Sequence, residues 1–143
     1  MNGEIFYGAA YKGSKQYTQQ EVRTASATGF GAATDDYAER GIDLNEQLVR
    51  NKPATFFMRV NGDAMIGAGI FDGDVVIVDR SLKPVSGKVI IATLNGEMLI
   101  RRLEKILNKV RLVPETSKLA PIDVDPTGEF SVWGVVTYVI HSV

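Results

Sequence analysis

Asn61-Gly62-Asp63-Ala64-Met65-Ile66-Gly67-Ala68-Gly69-Ile70 runs straight into Phe71-Asp72-Gly73-Asp74 and then Val75-Val76-Ile77-Val78-Asp79. The first ten residues are a bend rich in small side chains, the next four hold an Asp-Gly-Asp turn, and the last five are a β-branched strand ending on aspartate. Upstream, Ala54 to Val60 is β-branched and aromatic: Phe56, Met58 and Val60 alternate with Phe57 and Arg59, the pattern of a half-buried strand. A bend of small residues between two apolar strands forms a corner or a site. Ala64 is expected at its tip, presented to the surroundings.

Further along, Pro84 and Ser86-Gly87 punctuate the chain. Val89 to Leu94 then meets Glu97 to Leu103 across Asn95-Gly96, a dipeptide that accepts positive φ at both central positions of a tight hairpin turn. Val110 to Val113 is a further short strand, Pro114 to Thr127 a long polar connection, and Glu129 to Val132 and Val135 to Ile140 are two closing strands around Trp133-Gly134. On the other side of the bend, Asp43 precedes Glu46 by three residues, the spacing of an N-cap carboxylate answered by glutamate, and Leu44, Leu48 and Val49 share a face. A short helix is therefore expected from Leu44, stopped by Asn51-Lys52-Pro53. Seven or eight strands and one short helix predict a mostly β, antiparallel, curved domain.

Met1 to Thr28 is rich in Gly, Ser, Thr, Gln and Tyr, with apolar residues on neither the helical nor the strand period. It reads as a flexible N-terminal arm (residues 1–28) preceding a β domain (residues 29–143), with Tyr7, Tyr11 and Tyr17 available to pack on a neighbour. Gly29 to Asp36 continues the loose character, and order is expected from about Tyr37.

Composition narrows the function. The chain has 143 residues, 45% of them hydrophobic, enough for one core. Sixteen basic side chains against seventeen acidic ones leave no net field to draw it onto phosphates, so direct DNA binding is not expected. The absence of cysteine excludes thiolate metal sites, disulfides and a cysteine nucleophile. Asp72 and Asp74 flank a glycine as turn residues do, and no metal or cofactor is assigned. His141, the single histidine, reads as a strand-end residue. With neither a membrane span nor a signal peptide in the sequence, a cytoplasmic protein is expected.

An ordered series of short motifs resembles the LexA/UmuD family, the S24-type self-cleaving Ser-Lys proteins of the bacterial SOS response. The series comprises Gly29-Phe30, Asp36-Tyr37, Ile42-Asp43-Leu44-Asn45, Ala54-Thr55-Phe56-Phe57, Gly62-Asp63-Ala64-Met65-Ile66, Gly69-Ile70 with Asp72-Gly73-Asp74, Val76-Ile77-Val78-Asp79, Gly96-Glu97 and Trp133-Gly134-Val135-Val136. These keep one register from about Thr28 to the C-terminus. The chain is most similar to the UmuD branch, because the segment before Gly29-Phe30 is too short for the DNA-binding domain of LexA.

The resemblance also locates departures. The family's serine nucleophile falls on Ala64, which has no oxygen to attack a carbonyl. Its lysine falls on Arg101, and an arginine, which keeps its proton in proteins, cannot act as a general base. The strand alternation alone makes Arg101 a solvated arginine on a half-apolar face; the resemblance puts it in the cleft. The cleavage junction falls on Thr28-Gly29, where the family has cysteine or alanine before the glycine. Three departures on the three places of one reaction fit a naturally inactive or repurposed member, since a designed knockout needs only one. The backbone N–H groups of Asp63 and Ala64 remain candidates for the oxyanion-binding part of the site.

The resemblance implies an accessory subunit, as a homodimer or a mixed dimer with an active paralogue, for an error-prone translesion polymerase of the UmuC type, answering to the RecA filament. Two alternatives stand beside it. One is an active S24-type serine peptidase using another nucleophile, with Ser81, Ser86 and Thr93 available; the other is a dimeric interaction module with no DNA-damage role.

Overall fold

The computed structural model describes residues 4–10, 41–125 and 127–143. Among them are eight strands: β1 Ile5–Ala10, β2 Thr55–Val60, β3 Val75–Asp79, β4 Val89–Leu94, β5 Glu97–Ile106, β6 Lys109–Val113, β7 Ile122–Val124 and β8 Phe130–Ile140. All pair antiparallel in one sheet, in the order β1-β2-β3-β8-β4-β5-β6-β7. The mostly β, antiparallel architecture is the one expected.

The hairpin at Asn95-Gly96 forms as read: Leu94 pairs with Glu97, and Asn95 and Gly96 take φ of 51° and 85°. A helix also starts at Leu44. In α1 (Leu44–Leu48) the Asp43 carboxylate accepts from the Asn45 and Glu46 N–H groups at 3.0 and 3.4 Å. Its apolar face is less buried than the spacing suggests, since Leu44 is exposed and Val49, just past the helix, is the residue that enters the core.

Three expectations are corrected. Ile5–Ala10, inside the stretch read as an arm, is a strand on β2, with Ile5 opposite Val60 and Ala10 opposite Phe56. Ile122–Val124, inside the polar connection, is a strand on β6, and Val124 is buried. The two closing strands are one continuous β8, which pairs with β3 on one side and β4 on the other and absorbs its Trp133-Gly134 interruption as register shifts. The remainder of the arm, including Tyr11, Tyr17, Thr28 and Gly29, lies outside the described residues.

Among the described residues the sheet has no helical layer, so it has to find its own cover. In β3, Val76, Ile77 and Val78 are all buried, and so are Ile90, Ile91 and Ala92 in β4, so both faces of the middle of the sheet are covered. One buried cluster gathers Met58 and Val60 of β2 with Ile91 of β4 and Ile100 of β5; the other gathers Ile90, Ala92, Leu103, Leu112, Val124 and Val135. In a flat sheet β1 and β5 would stand about 24 Å apart at the usual strand spacing. Instead Glu4, at the head of β1, touches Arg101 of β5, so the sheet rolls until strands far apart in its order meet. The bend between β2 and β3 sends Ala64, Met65 and Ile70 into this roll, while Asp63, Gly67 and Gly69 stay exposed.

Candidate functional site

Ala64 is 3% exposed and Met65 1%, so the bend does not present Ala64 as expected but buries it in the cluster that holds Met58, Ile70 and Ile100. Each flank is tied down. The Gly62 N–H donates to Asp72 Oδ1 at 2.8 Å, which makes the first aspartate of the Asp-Gly-Asp turn a brace for the entry to the bend. The second, Asp74, is buried; its Oδ2 accepts from the Phe71 N–H at 2.8 Å and its Oδ1 lies 2.6 Å from His141 Nδ1. His141 therefore does stand just past a strand end, as a tether for the C-terminus, with Phe71 against its ring.

This arrangement carries a prediction. Asp74→Ala removes the buried carboxylate that accepts from the Phe71 N–H and pairs with His141, and lowers unfolding free energy by about 2 kcal/mol, whereas Asp74→Asn, which keeps a carbonyl oxygen, loses less. Urea denaturation of the two variants measures the difference.

The far side of the bend is stitched to residue 115. The Glu115 N–H donates to the Ala64 carbonyl and the Gly67 N–H donates to the Glu115 carbonyl, both at 2.8 Å. The approach is so close that a Cβ on Gly67 would lie 2.7 Å from the Glu115 oxygen. Arg102 reinforces it, its Nε donating to Glu115 Oε1 at 2.7 Å. Among the described residues, no acceptor engages the backbone N–H of Asp63 or of Ala64.

Arg101 is 4% exposed, so the solvated reading is excluded. Its Nη1 donates to Glu4 Oε2 at 2.5 Å and also to the Ile100 carbonyl at 2.8 Å. The same Glu4 oxygen accepts from the Ile100 N–H at 3.2 Å, and the Glu4 carbonyl accepts from the Asn61 N–H at 2.5 Å. Glu4 thus joins β5 to the first residue of the bend. Arg101 Nε is buried with no hydrogen-bond partner among the described residues. Nothing in the sequence marked Glu4, because its partner lies 97 positions away.

The alternative nucleophiles have structural duties. Ser81 donates through both N–H and Oγ to Asp79 Oδ1, at 2.8 and 2.5 Å, closing the turn after β3. Ser86 Oγ accepts from the Lys105 N–H at 3.0 Å, and Thr93 Oγ1 pairs with Ser131 Oγ at 2.5 Å. A hollow of about 620 Å³ is lined by Arg50, Asp79, Ser81, Lys83 and Lys88 among others; neither Ala64 nor Arg101 lines it.

A bend that buries Ala64, on a rolled antiparallel sheet that holds Arg101 inside, defines an S24-like β domain. The family model described as Peptidase S24-like matches residues 20–137, and the chain belongs to that family. It is 35% identical over 133 residues to Protein ImpA of Salmonella typhimurium, covering 90% of this chain and 88% of that one. Protein SamA of Salmonella typhimurium is 35% identical over 113 residues, 79% of this chain and 78% of its own, and Protein MucA of Escherichia coli 34% over 113 residues, 78% and 77%. These are relatives of the UmuD type. LexA repressor 1 of Xanthomonas oryzae is 36% identical over 109 residues; the match spans 76% of this chain and 54% of the repressor.

Proposed function

We propose that this chain is a non-cleaving accessory subunit of SOS mutagenesis, working in the cytoplasm as a homodimer or as a mixed dimer with an active paralogue. In this role it engages a UmuC-type translesion polymerase and answers to the RecA filament, and its N-terminal segment stays attached because Thr28-Gly29 is not cut. Binding, rather than peptide hydrolysis, is the activity left to the fold.

The observation that carries this reading is the pair of residues at the two dyad positions. Ala64 offers a methyl group where the family's mechanism needs an oxygen. Arg101 is charged, buried and engaged by Glu4, where the mechanism needs a neutral amine. Kinship with ImpA, SamA and MucA over most of the chain supports the SOS setting.

Incubation of the purified protein with RecA filaments assembled on single-stranded DNA leaves the chain intact by mass spectrometry. A fragment beginning at Gly29 would sink the non-cleaving reading. Co-purification with a Y-family polymerase, against a mock bait, tests the partner separately.

A further inference from the structure

We infer that the cleft position of Arg101 is a carboxylate-binding site whose occupant is the chain's own Glu4, and that this pair is the clasp holding the first strand in the sheet.

Strand β1 needs such a device. Among the described residues it is an edge strand of six residues, paired with β2 alone, and its register with β2 is broken between Tyr7 and Ala9. A short, irregular edge strand is among the first parts of a sheet to open. Glu4 immediately precedes it and is held at two points, by its carbonyl on the Asn61 N–H and by its carboxylate on Arg101 and Ile100.

The clasp is not a by-product of strand pairing. β1 and β5 are separated in the sheet by β2, β3, β8 and β4, so the Glu4–Arg101 contact closes the roll on itself. From the side of Arg101 the need is reciprocal. A guanidinium that is 95% buried requires an anion, and Glu4 is the acidic group paired with it among the described residues. The set converging on Glu4 Oε2, one N–H of a buried guanidinium cation and one backbone N–H, is satisfied more strongly by a carboxylate than by a neutral side-chain oxygen. The position that the family uses for a base thus recognises an anion at the head of an extended strand. It keeps residues 4–10 on their own domain and withholds them from a partner copy.

Amide hydrogen exchange of the full chain tests this without reference to cleavage or to any polymerase. Glu4→Gln and Arg101→Met each speed exchange of the Phe6–Ala10 amides at least tenfold while the β3, β4 and β8 amides keep their protection. Arg101→Lys, which retains a cation for Glu4, keeps β1 protection within about threefold of the parent chain. Unchanged β1 protection in Glu4→Gln overturns the clasp. Equal loss across β1, β3, β4 and β8 in Glu4→Gln also overturns it, because the pair would then hold the whole domain rather than one strand.

Discussion

A chain carrying Ala64→Ser, Arg101→Lys and Glu4→Gln together cuts itself slowly between Thr28 and Gly29, whereas the two dyad changes alone give little product. The serine change supplies the oxygen, and the lysine supplies an amine that can lose its proton. Glu4 decides how easily it does so. A carboxylate against an ammonium stabilises the charged form, which lowers the fraction of neutral base at a given pH. Removing the Glu4 charge reverses this.

The pH profile separates the two effects of Glu4→Gln. Below its pKa the neutral fraction of the new lysine rises about tenfold per pH unit, so self-cleavage accelerates with alkalinity. If Glu4 holds the proton on the lysine, Glu4→Gln moves the whole profile to lower pH. If it only releases β1, the rate rises equally at every pH. Ala64→Ser alone gives no or barely detectable product because Arg101 stays charged, and Arg101→Lys alone gives none because no nucleophile is present. Product from the latter variant would falsify the assignment of the dyad positions. Thr28→Ala, which brings the junction nearer the family's small residue, is expected to increase the yield of the triple variant. The readout is the mass of a fragment starting at Gly29.

Gly67→Ala is expected to be the most damaging single methyl addition near the bend. The new carbon falls 2.7 Å from the Glu115 carbonyl oxygen, a backbone atom that cannot swing aside as a side-chain tip can. Overpacking of this kind costs about 1–3 kcal/mol, and the two hydrogen bonds joining Ala64 and Gly67 to residue 115 are strained with it. A loss of about 3 kcal/mol is expected in urea denaturation. Glu115→Ala is the control, because it keeps the backbone contacts and removes only the half-exposed pair with Arg102, worth about 1 kcal/mol or less. Equal losses from the two changes would show that the side-chain pair, not the close backbone approach, holds the bend.

The bend was legible as a feature but not in its setting. Small residues and an Asp-Gly-Asp turn announce a corner, and the two aspartates do serve the turn, Asp72 through Gly62 and Asp74 through Phe71. That Ala64 lies under cover was not legible, because the cluster that buries it includes Ile91 and Ile100, on strands that neighbour the bend only after the sheet has rolled. Arg101 illustrates the same limit. Strand alternation alone makes an arginine between Ile100 and Arg102 a surface residue, yet in β5 Leu99, Ile100 and Arg101 are buried in succession. Among the described residues, the carboxylate that makes its burial tolerable lies 97 residues upstream.

Local chemistry by itself determined a mostly β chain, the Asn95-Gly96 hairpin, the cap at Asp43 and the absence of a side-chain oxygen at Ala64 and of a neutral amine at Arg101, since each depends on residue type or short-range spacing. The tertiary structure alone decided that Ile5–Ala10 and Ile122–Val124 are strands and that Glu4 seats on Arg101. A six-residue strand with a bulge and a three-residue strand have too few residues to show a period; they exist because β2 and β6 offer them hydrogen-bonding edges, and a buried charge exists only where folding delivers its counter-charge.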